Sequence, residues 1–418
     1  MTVHSEIITF GCRLNSYESE VIRAHIAKAE IGDVVLFNTC AVTGEAERQA
    51  RQAIRKARRE HPHAKIIVTG CAAQIHPERF AEMEEVDYVI GNQAKMQAQT
   101  YLGLNDERLH ITDMHLVNET APHLVRGFEG MTRGFVQVQN GCDHRCTFCV
   151  IPYGRGPSRS VPAQPILDQI QILVEEEGYP EIALTGVDIT SYGHDLEGEP
   201  TLGQLAKQIL TAIPSLHRLR LSSLDVAEID DDLWQLIADE PRLMPHLHLS
   251  VQSGDDMVLK RMARRHLRQD IIDFVTRARS LRPDMAFGAD LIAGFPTETE
   301  EMFENTCQLM RDLDFTWLHV FPFSSRAGTP AARMPQVRGE IRKERAARLR
   351  EIGDCAVIRH LDSLIGKALE VHVEQPLIGR TPTFAEVAFA QPQKTGDVVR
   401  VKGIRHDGQK LFVEEEPA

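Results

Sequence analysis

The residues of this chain best suited to chemistry are its cysteines, eight among 418 residues. Three of them crowd into the stretch Asn140-Gly141-Cys142-Asp143-His144-Arg145-Cys146-Thr147-Phe148-Cys149. This Cys-x-x-x-Cys-x-x-Cys spacing puts three thiolates in one short loop with no fourth cysteine nearby. Zinc ribbons need paired Cys-x-x-Cys knuckles, and a second pair is absent here. A 4Fe–4S cluster held by three thiolates keeps one iron without a protein ligand. That iron can bind a small molecule through an amine and a carboxylate. Phe148, just before the last cysteine, offers a face to a flat ligand, or simply packs the loop.

Three more cysteines, Cys12, Cys40 and Cys71, are separated by 28 and 31 residues. They look unrelated until the elements that carry them are drawn. Residues 6–10, 34–37 and 66–68 are short apolar runs of strand length, and each ends just ahead of one of these cysteines. Helices are expected at 16–29, with Ser16 as N-cap and Glu18 in the first turn, and at 43–60. A further helix and a strand at 88–90 continue the alternation, which implies a parallel α/β sheet. Ligands in such sheets sit at the carboxyl ends of the strands, where all three thiols fall. They are either three independent buried thiols or a second open site. The open site would be an iron–sulfur cluster with an exchangeable iron, or zinc held by three cysteines and a water. The helix at 43–60 also carries Arg48, Arg51, Arg55, Arg58 and Arg59, which form either a solvated face or a phosphate contact.

The middle of the chain must position the cysteine loop. A linker is expected from Thr120 to Arg133, around Pro122, Gly127 and Gly130. Six strands follow, at 135–139, 182–184, 219–221, 247–249, 289–292 and 317–320, with helices at 201–213, 227–238, 269–281 and 298–313 among them. Six βα units are too few for a closed eightfold barrel, so an open, partial one is expected, active at the carboxyl ends of its strands. Small or polar residues recur there: Thr185-Gly186-Val187-Asp188, Ser222-Ser223, Gln252-Ser253-Gly254, Gly294-Phe295-Pro296 and Ser324-Ser325-Arg326. Cys307 reads as a packing thiol, Cys355 has no partner at ligand spacing, and His144 reads as a solvated loop histidine. Residues 336–360 form a charged helix. Alternation at Leu369, Val371 and Val373, at Val387 and Phe389, at Val399 and Val401, and at Leu411 and Val413 then points to a small β-barrel of four or five strands.

Composition narrows the class. Apolar residues make up 42% and charged residues 26%, as in an ordinary globular protein. No apolar run is long enough to span a membrane, and Met1 to Glu6 lack a secretory pattern, so a cytoplasmic protein is expected. In that compartment cysteines serve as ligands, catalysts or buried thiols more often than as disulfides. The net charge of −13 does not point to nucleic acid. It leaves room for a local basic patch, for which Arg380, Lys394, Arg400, Lys402 and Arg405 of the tail would have to cluster. Residues 361–418 hold seven Lys or Arg against nine Asp or Glu, so the tail is not basic as a whole.

With these residues in view, the chain resembles a known family. Cys142, Cys146 and Cys149, with Phe148 in the aromatic slot, resemble the signature of radical S-adenosylmethionine enzymes. Cys12, Cys40 and Cys71 ahead of them resemble the second cluster of the methylthiotransferases. The likeness continues through Val150-Ile151-Pro152-Tyr153-Gly154-Arg155-Gly156, Ser158-Arg159-Ser160, Leu249 to Gly254 and Asp290 to Glu298. It implies an N-terminal methylthiotransferase domain at 1–119, a partial (β/α)6 radical SAM core at 130–360 and a TRAM-like RNA-binding barrel at 361–418. It implies S-adenosylmethionine and two 4Fe–4S clusters as cofactors. Phe148, Gly186, Ser223 and Gln252 would line the S-adenosylmethionine pocket. The family's Gly-x-Ile-x-Gly-x-x-Glu pattern is only partly met, since Asp290 and Thr297 stand at its first and last positions, so neither is expected to touch cofactor.

The family has three substrate branches. Gly154 to Ser160 and Arg261 to His266 look most like the branch that adds a methylthio group to C2 of N6-threonylcarbamoyladenosine beside the tRNA anticodon. The alternatives are isopentenyladenosine in tRNA and an aspartate of a ribosomal protein. A reading of another class is a non-catalytic, metal-stabilised RNA-binding protein. An unactivated C2–H bond is not acidic enough for a side-chain base, so the resemblance implies radical chemistry carried by cofactors. It also implies a nucleotide flipped from the anticodon loop, an electron donor and a source of sulfur.

Overall fold

A computed structural model describes residues 5–104, 107–117, 120 and 123–415. Met1 to His4, and Pro122 of the expected linker, lie outside these. The chain opens with five parallel strands, β1 (Ser5–Thr9), β2 (Val34–Thr39), β3 (Lys65–Gly70), β4 (Tyr88–Ile90) and β5 (Leu109–His110), paired in that order. Strand β2 is buried along its whole length and β3 nearly so, because helices cover both faces of a parallel sheet. Their sequences are therefore continuous apolar runs rather than alternating ones. Strand β5, two residues long, has no pattern that reveals it.

The first helix runs Arg13–Ala29, three residues earlier than expected. Cys12, not Ser16, is its N-cap, and no side chain caps it. Leu14 and Asn15 are buried at once, so tertiary packing sets the start. The next helix, Gly44–Glu60, is capped by Thr43, whose hydroxyl accepts from the Ala46 N–H at 3.2 Å. Of its arginine stripe, Arg58 is tied to Asp87 at 2.6 Å and to three backbone carbonyls, so it braces the sheet.

The middle of the chain is an open half-barrel. Strand β6 (Arg133–Gln137) is followed by the small hairpin β7 (Gln139–Asn140) and β8 (Arg159–Ser160), which closes the base of the cysteine loop. Then come β9 (Glu181–Thr185), β10 (Arg218–Leu221), β11 (His246–Gln252), β12 (Ala286–Ala293) and β13 (Trp317–Pro322). They form two parallel three-stranded sheets, β6-β9-β10 and β11-β12-β13. Bridges Leu219–Leu243 and Leu224–Leu249 join the two. Leu14, Tyr17 and Val21 of the first helix enter the half-barrel core beside Val136 and Val138, so the N-terminal layer packs against the β6 edge. The expected linker is laid down rather than loose: Val125 and Phe128 are buried, and Phe128 meets Phe135 edge to face. The expected helix at 227–238 is a 3₁₀ turn, Val226–Glu228, followed by a helix Asp231–Asp239 capped by Asp230. Cys307 is fully buried, and Cys355 is exposed.

Helix Gly339–Leu364 leads to five more strands, β14 (Ala368–Gln375), β15 (Ile378–Arg380), β16 (Glu386–Phe389), β17 (Val398–His406) and β18 (Lys410–Glu415). They close into a barrel in the order β14-β15-β16-β18-β17 around Val371, Val373, Val387, Val401 and Leu411. Its loop residue Phe384, at φ +75°, reaches the foot of the half-barrel and stacks on His246 with centroids 5.0 Å apart. The basic residues of the tail do not gather on one face. Arg380 pairs with Glu374 and Glu386 at this junction, and Lys394 pairs with Asp397. Arg400, Lys402 and Arg405 are exposed along β17, with Arg400 paired to Glu370 and Arg405 lying over the Phe412 ring. Among the described residues no helix is long and apolar enough to cross a membrane.

Candidate functional site

Parallel register brings the first three cysteines together. Pairings Thr9↔Asn38 and Thr39↔Gly70 set the ends of β1, β2 and β3 level, and Cys12, Cys40 and Cys71 follow them. Two glycines permit the approach. A Cβ on Gly11, at φ +91°, would lie 2.7 Å from the Cys40 sulfur, and one on Gly70, at φ +95°, would lie 2.2 Å from the Thr39 carbonyl oxygen. Cys40 and Cys71 are buried, and Cys12 is exposed. Burial pushes the Cys40 thiol up to about 12, with repulsion from Cys71 adding to it. A thiol in that state needs a cationic partner or a metal to ionise. The three sulfurs are not gathered within 4.8 Å of one another, as the ligands of one ion would be.

Behind Cys71 lies a buried charge network. Arg155 donates from Nε to Cys71 Sγ at 3.2 Å, from Nη1 to Glu18 at 2.8 Å and from Nη2 to Asn15 at 2.7 Å. Lys95 donates to the other oxygen of Glu18 at 2.6 Å. Glu18, Arg155 and Lys95 are all at most 2% exposed. Burial alone would raise the Glu18 carboxyl, but Arg155 and Lys95 override it and hold it down at about 2. Two buried cations thus face one carboxylate. The uncompensated positive charge borders Cys71, where an anionic, cluster-bound thiolate would balance it.

The second triad is local. Gln139 at the end of the hairpin organises its loop: its amide donates to the Gly141 carbonyl at 2.7 Å and to Ser158 Oγ at 2.9 Å, and its oxygen accepts from Val187 and Asp188 N–H groups. A Cβ on Gly141, at φ +74°, would overlap the Pro157 carbonyl at 1.8 Å. Asp188, beyond β9, lies 3.7 Å from Cys142 Sγ. His144 is not a solvated loop histidine. It pairs with Asp188 at 2.8 Å, and hydrogen bonds to Asp188 and Glu228 raise it to about 10. Arg264 donates to Cys146 Sγ at 3.5 Å and to Asp225 at 2.8 Å. These partners come from distant parts of the half-barrel; Asp188 belongs to the polar residues recurring at strand ends and Arg264 to the Arg261 to His266 run, while nothing in the sequence marks Asp225 or Glu228.

Phe148 packs edge to face on Phe295, with centroids 6.4 Å apart, against the cluster that contains Met262 and Phe323. Gly186 rests on Gln139, whose carbonyl would be 2.8 Å from an added Cβ. Ser223 follows β10, and Gln252 ends β11 at φ +65°. Both lie at the carboxyl end of the half-barrel. Thr297, at φ +67°, turns away from the expected glutamate role. The carboxylate of Glu298, one residue on, accepts from the Gly294 N–H at 2.9 Å and pairs with Arg345, in structural use.

The two triads face each other. Helix Ile151–Arg155 follows Cys149 and packs on helix Cys71–Ile75. A Cβ on Gly154 would lie 3.5 Å from Cys71 Cβ, and Asn92 donates to the Gly154 carbonyl at 2.6 Å while pointing at Cys71 Sγ, 3.8 Å away. The Cys149 thiol lies within electrostatic reach of Cys71.

Residues 136–310 match the Radical SAM superfamily, and residues 4–91 match the Uncharacterized protein family UPF0004. The threonylcarbamoyladenosine tRNA methylthiotransferase MtaB of Rickettsia prowazekii is 52% identical over 96% of this chain and 94% of its own length. The protein of the same name from Thermotoga maritima is 37% identical over 96% of this chain and 95% of its length. The tRNA-2-methylthio-N(6)-dimethylallyladenosine synthase of Agrobacterium fabrum is 35% identical over 98% of this chain and 96% of its length. In fold, the chain is similar to the radical S-adenosylmethionine methyltransferase TsrM of Kitasatospora setae, with a TM-score of 0.56 at 14% identity over 79% of this chain and 77% of that one. With a relative at 52% identity spanning nearly its whole length, the chain belongs to the radical SAM methylthiotransferase family, in its MtaB branch.

Proposed function

We propose that the chain adds a methylthio group to C2 of N6-threonylcarbamoyladenosine next to the anticodon of tRNA, in the cytoplasm. The observation that carries this reading is the meeting of two open cysteine triads across one interface. Cys142, Cys146 and Cys149 would hold the cluster that binds S-adenosylmethionine, and Cys12, Cys40 and Cys71 an auxiliary 4Fe–4S cluster. When bound, these groups supply radical cleavage of an inert C–H bond and the sulfur that replaces the hydrogen.

The protein's own residues hold and orient. Gln139 and Gly141 set the loop on which the first triad sits, and Arg264 and Asp188 fix the surroundings of Cys146 and Cys142. Phe148, Gly186, Ser223 and Gln252 are proposed to line the S-adenosylmethionine pocket. Arg155 supports Cys71 from behind and excludes water there. This reading divides the chain at 1–119, 130–360 and 361–418 and gives the C-terminal barrel the task of holding RNA, with Arg400 and Lys402 on its outer side. An electron donor and a sulfur donor act as external partners.

Nucleoside analysis of tRNA from a deletion strain tests the substrate. Loss of the methylthio group from threonylcarbamoyladenosine alone supports the reading. Loss from isopentenyladenosine, or from a ribosomal aspartate, points to the other branches. Iron and sulfide counts, with deoxyadenosine release under reduction, exclude the non-catalytic alternative.

A further inference from the structure

At the foot of the half-barrel, four guanidinium groups surround one ring. Arg13, Arg133, Arg220 and Arg380 lie 5.8, 5.2, 5.0 and 5.0 Å from the centroid of Phe384. Three of them are neutralised. Arg133 pairs with Glu181 and with Glu374, at 2.8 Å in the second case. Arg220 pairs with Glu181 at 2.7 Å, and Arg380 pairs with Glu374 and Glu386 at 3.2 and 3.0 Å. Arg13 is the exception. Among the described residues its guanidinium makes no hydrogen bond and no ion pair, and the carboxylates within electrostatic reach, Glu181 and Asp290, are engaged by other basic side chains. A half-buried cation left over from such a set has lost hydration without a close anion of its own.

The wall beside Arg13 is polar and open. Asp290 of β12 also lies within electrostatic reach of Arg13. Its carboxylate lies 3.0 Å from His248 Nε2 and 3.3 Å from His319 Nδ1, which engages its charge. Exposure rises across the three adjacent strands, from 11% for the His248 side chain through 24% for Asp290 to 60% for His319. The strand faces beside Arg13 are therefore polar, and their exposure rises toward the β13 side.

Position selects the anion. Arg13 is the residue after Cys12, one of the three thiols proposed to deliver sulfur. On an adenine ring the C2 atom that receives sulfur and the C6 atom, whose amino nitrogen N6 carries the substituent, flank the same nitrogen, N1. A side chain adjoining the sulfur-delivering centre is thus well placed to meet the substituent. The threonylcarbamoyl group ends in a carboxylate, for which a guanidinium is the natural fork-shaped partner.

We propose that Arg13 receives the carboxylate of the N6 substituent and so selects an acid-bearing adenosine over a bare or apolar one. This rests on the substrate reading above. A site built to pair a charged group discriminates strongly against substrates that lack it, because its own charge is then left unmatched.

The test measures binding of three anticodon stem-loops by the cluster-reconstituted protein, using fluorescence anisotropy. One loop carries threonylcarbamoyladenosine, one its threonyl methyl ester and one plain adenosine. Wild type is expected to prefer the acid over the ester and the plain base. Arg13→Gln is expected to lose about tenfold or more of that preference, and Arg13→Lys to keep part of it. The ester arm needs no substitution, so it decides the matter even if Arg13→Gln disturbs the Cys12 turn. An ester bound as tightly as the acid, or a preference that survives Arg13→Gln, overturns the inference alone. Equal weakening on all three loops overturns it in favour of a backbone phosphate. A wild type that binds the threonylcarbamoyl loops, acid or ester, no better than the plain loop overturns the substrate reading together with it.

Discussion

The two cysteine triads reach similar ends by opposite routes. Cys142, Cys146 and Cys149 lie within eight residues of chain, and one hairpin and one glutamine shape their loop. Cys12, Cys40 and Cys71 come from three strand ends whose level alignment depends on parallel pairing of β1, β2 and β3. Each triad has an arginine donating to one sulfur, Arg264 to Cys146 and Arg155 to Cys71. Arg264 is balanced by Asp225, whereas Arg155 shares Glu18 with Lys95 and leaves positive charge over. A local loop can be shaped by its own turns. A triad assembled from distant segments needs a buried electrostatic clamp to keep its members in place.

The largest effect expected divides the two sites by function. Cys142→Ala should abolish cleavage of S-adenosylmethionine, and Cys12→Ala should abolish methylthiolation while deoxyadenosine release under reduction persists. Each variant should lose about half of the bound iron. A folded Cys12→Ala protein that cleaves no S-adenosylmethionine would erase the division.

Arg155→Met should come next. It leaves Glu18 and Lys95 buried with an altered charge balance, and breaking such a buried pair costs about 3–5 kcal/mol. Chemical denaturation would read the loss. Iron retained by a Cys142→Ala background would show whether the strand-end triad loosens with it. Asp225→Asn should act on the other triad alone, reducing S-adenosylmethionine cleavage about 10–100-fold through misplacement of Arg264, with little change in iron held by Cys12, Cys40 and Cys71.

The smallest effect serves as a control remote from both. Burial lowers His360, beside Trp317 and Thr383, from 6.5 to about 4. The unfolded chain therefore binds more protons than the folded one between those values, so stability is full above pH 6.5 and falls as pH drops toward 4. A loss on the order of 1–3 kcal/mol should appear in urea titrations, equal in Cys12→Ala and Cys142→Ala proteins and absent in His360→Gln. Unequal losses would mean that the C-terminal barrel leans on one triad more than the other.

Much of this arrangement is legible in the chain. The runs at 34–37 and 66–68 declare buried parallel strands because both faces are covered, and the placement of Cys40 and Cys71 just past them predicts their convergence. The half-barrel and the closed C-terminal barrel follow from alternation and from strand count. What escapes is set by contacts between remote residues. Glu18 meets Lys95 across 77 positions and Arg155 across 137, and charged residues in isolation read as solvated surface. Ser16 has the chemistry of a cap, yet burial of Leu14 starts the helix earlier. His144 reads as a loop residue until Asp188 and Glu228 arrive from the ends of other units.

The reach of Arg155 from the middle of the chain into the N-terminal layer has a consequence for biogenesis. A ribosome releases Cys12, Cys40 and Cys71 well before residue 155, and early strands can pair as they emerge. Until the later helix docks, Lys95 and Glu18 have no Arg155 between them and Cys71 has no guanidinium beside it. The triad begun first is therefore completed only after the loop of Cys142, Cys146 and Cys149 has been made, and that loop in turn waits for Asp188 and Arg264. Neither receptacle is complete while its cysteines alone have emerged, so any iron it takes would be held in full only after synthesis has passed the arginine beside it.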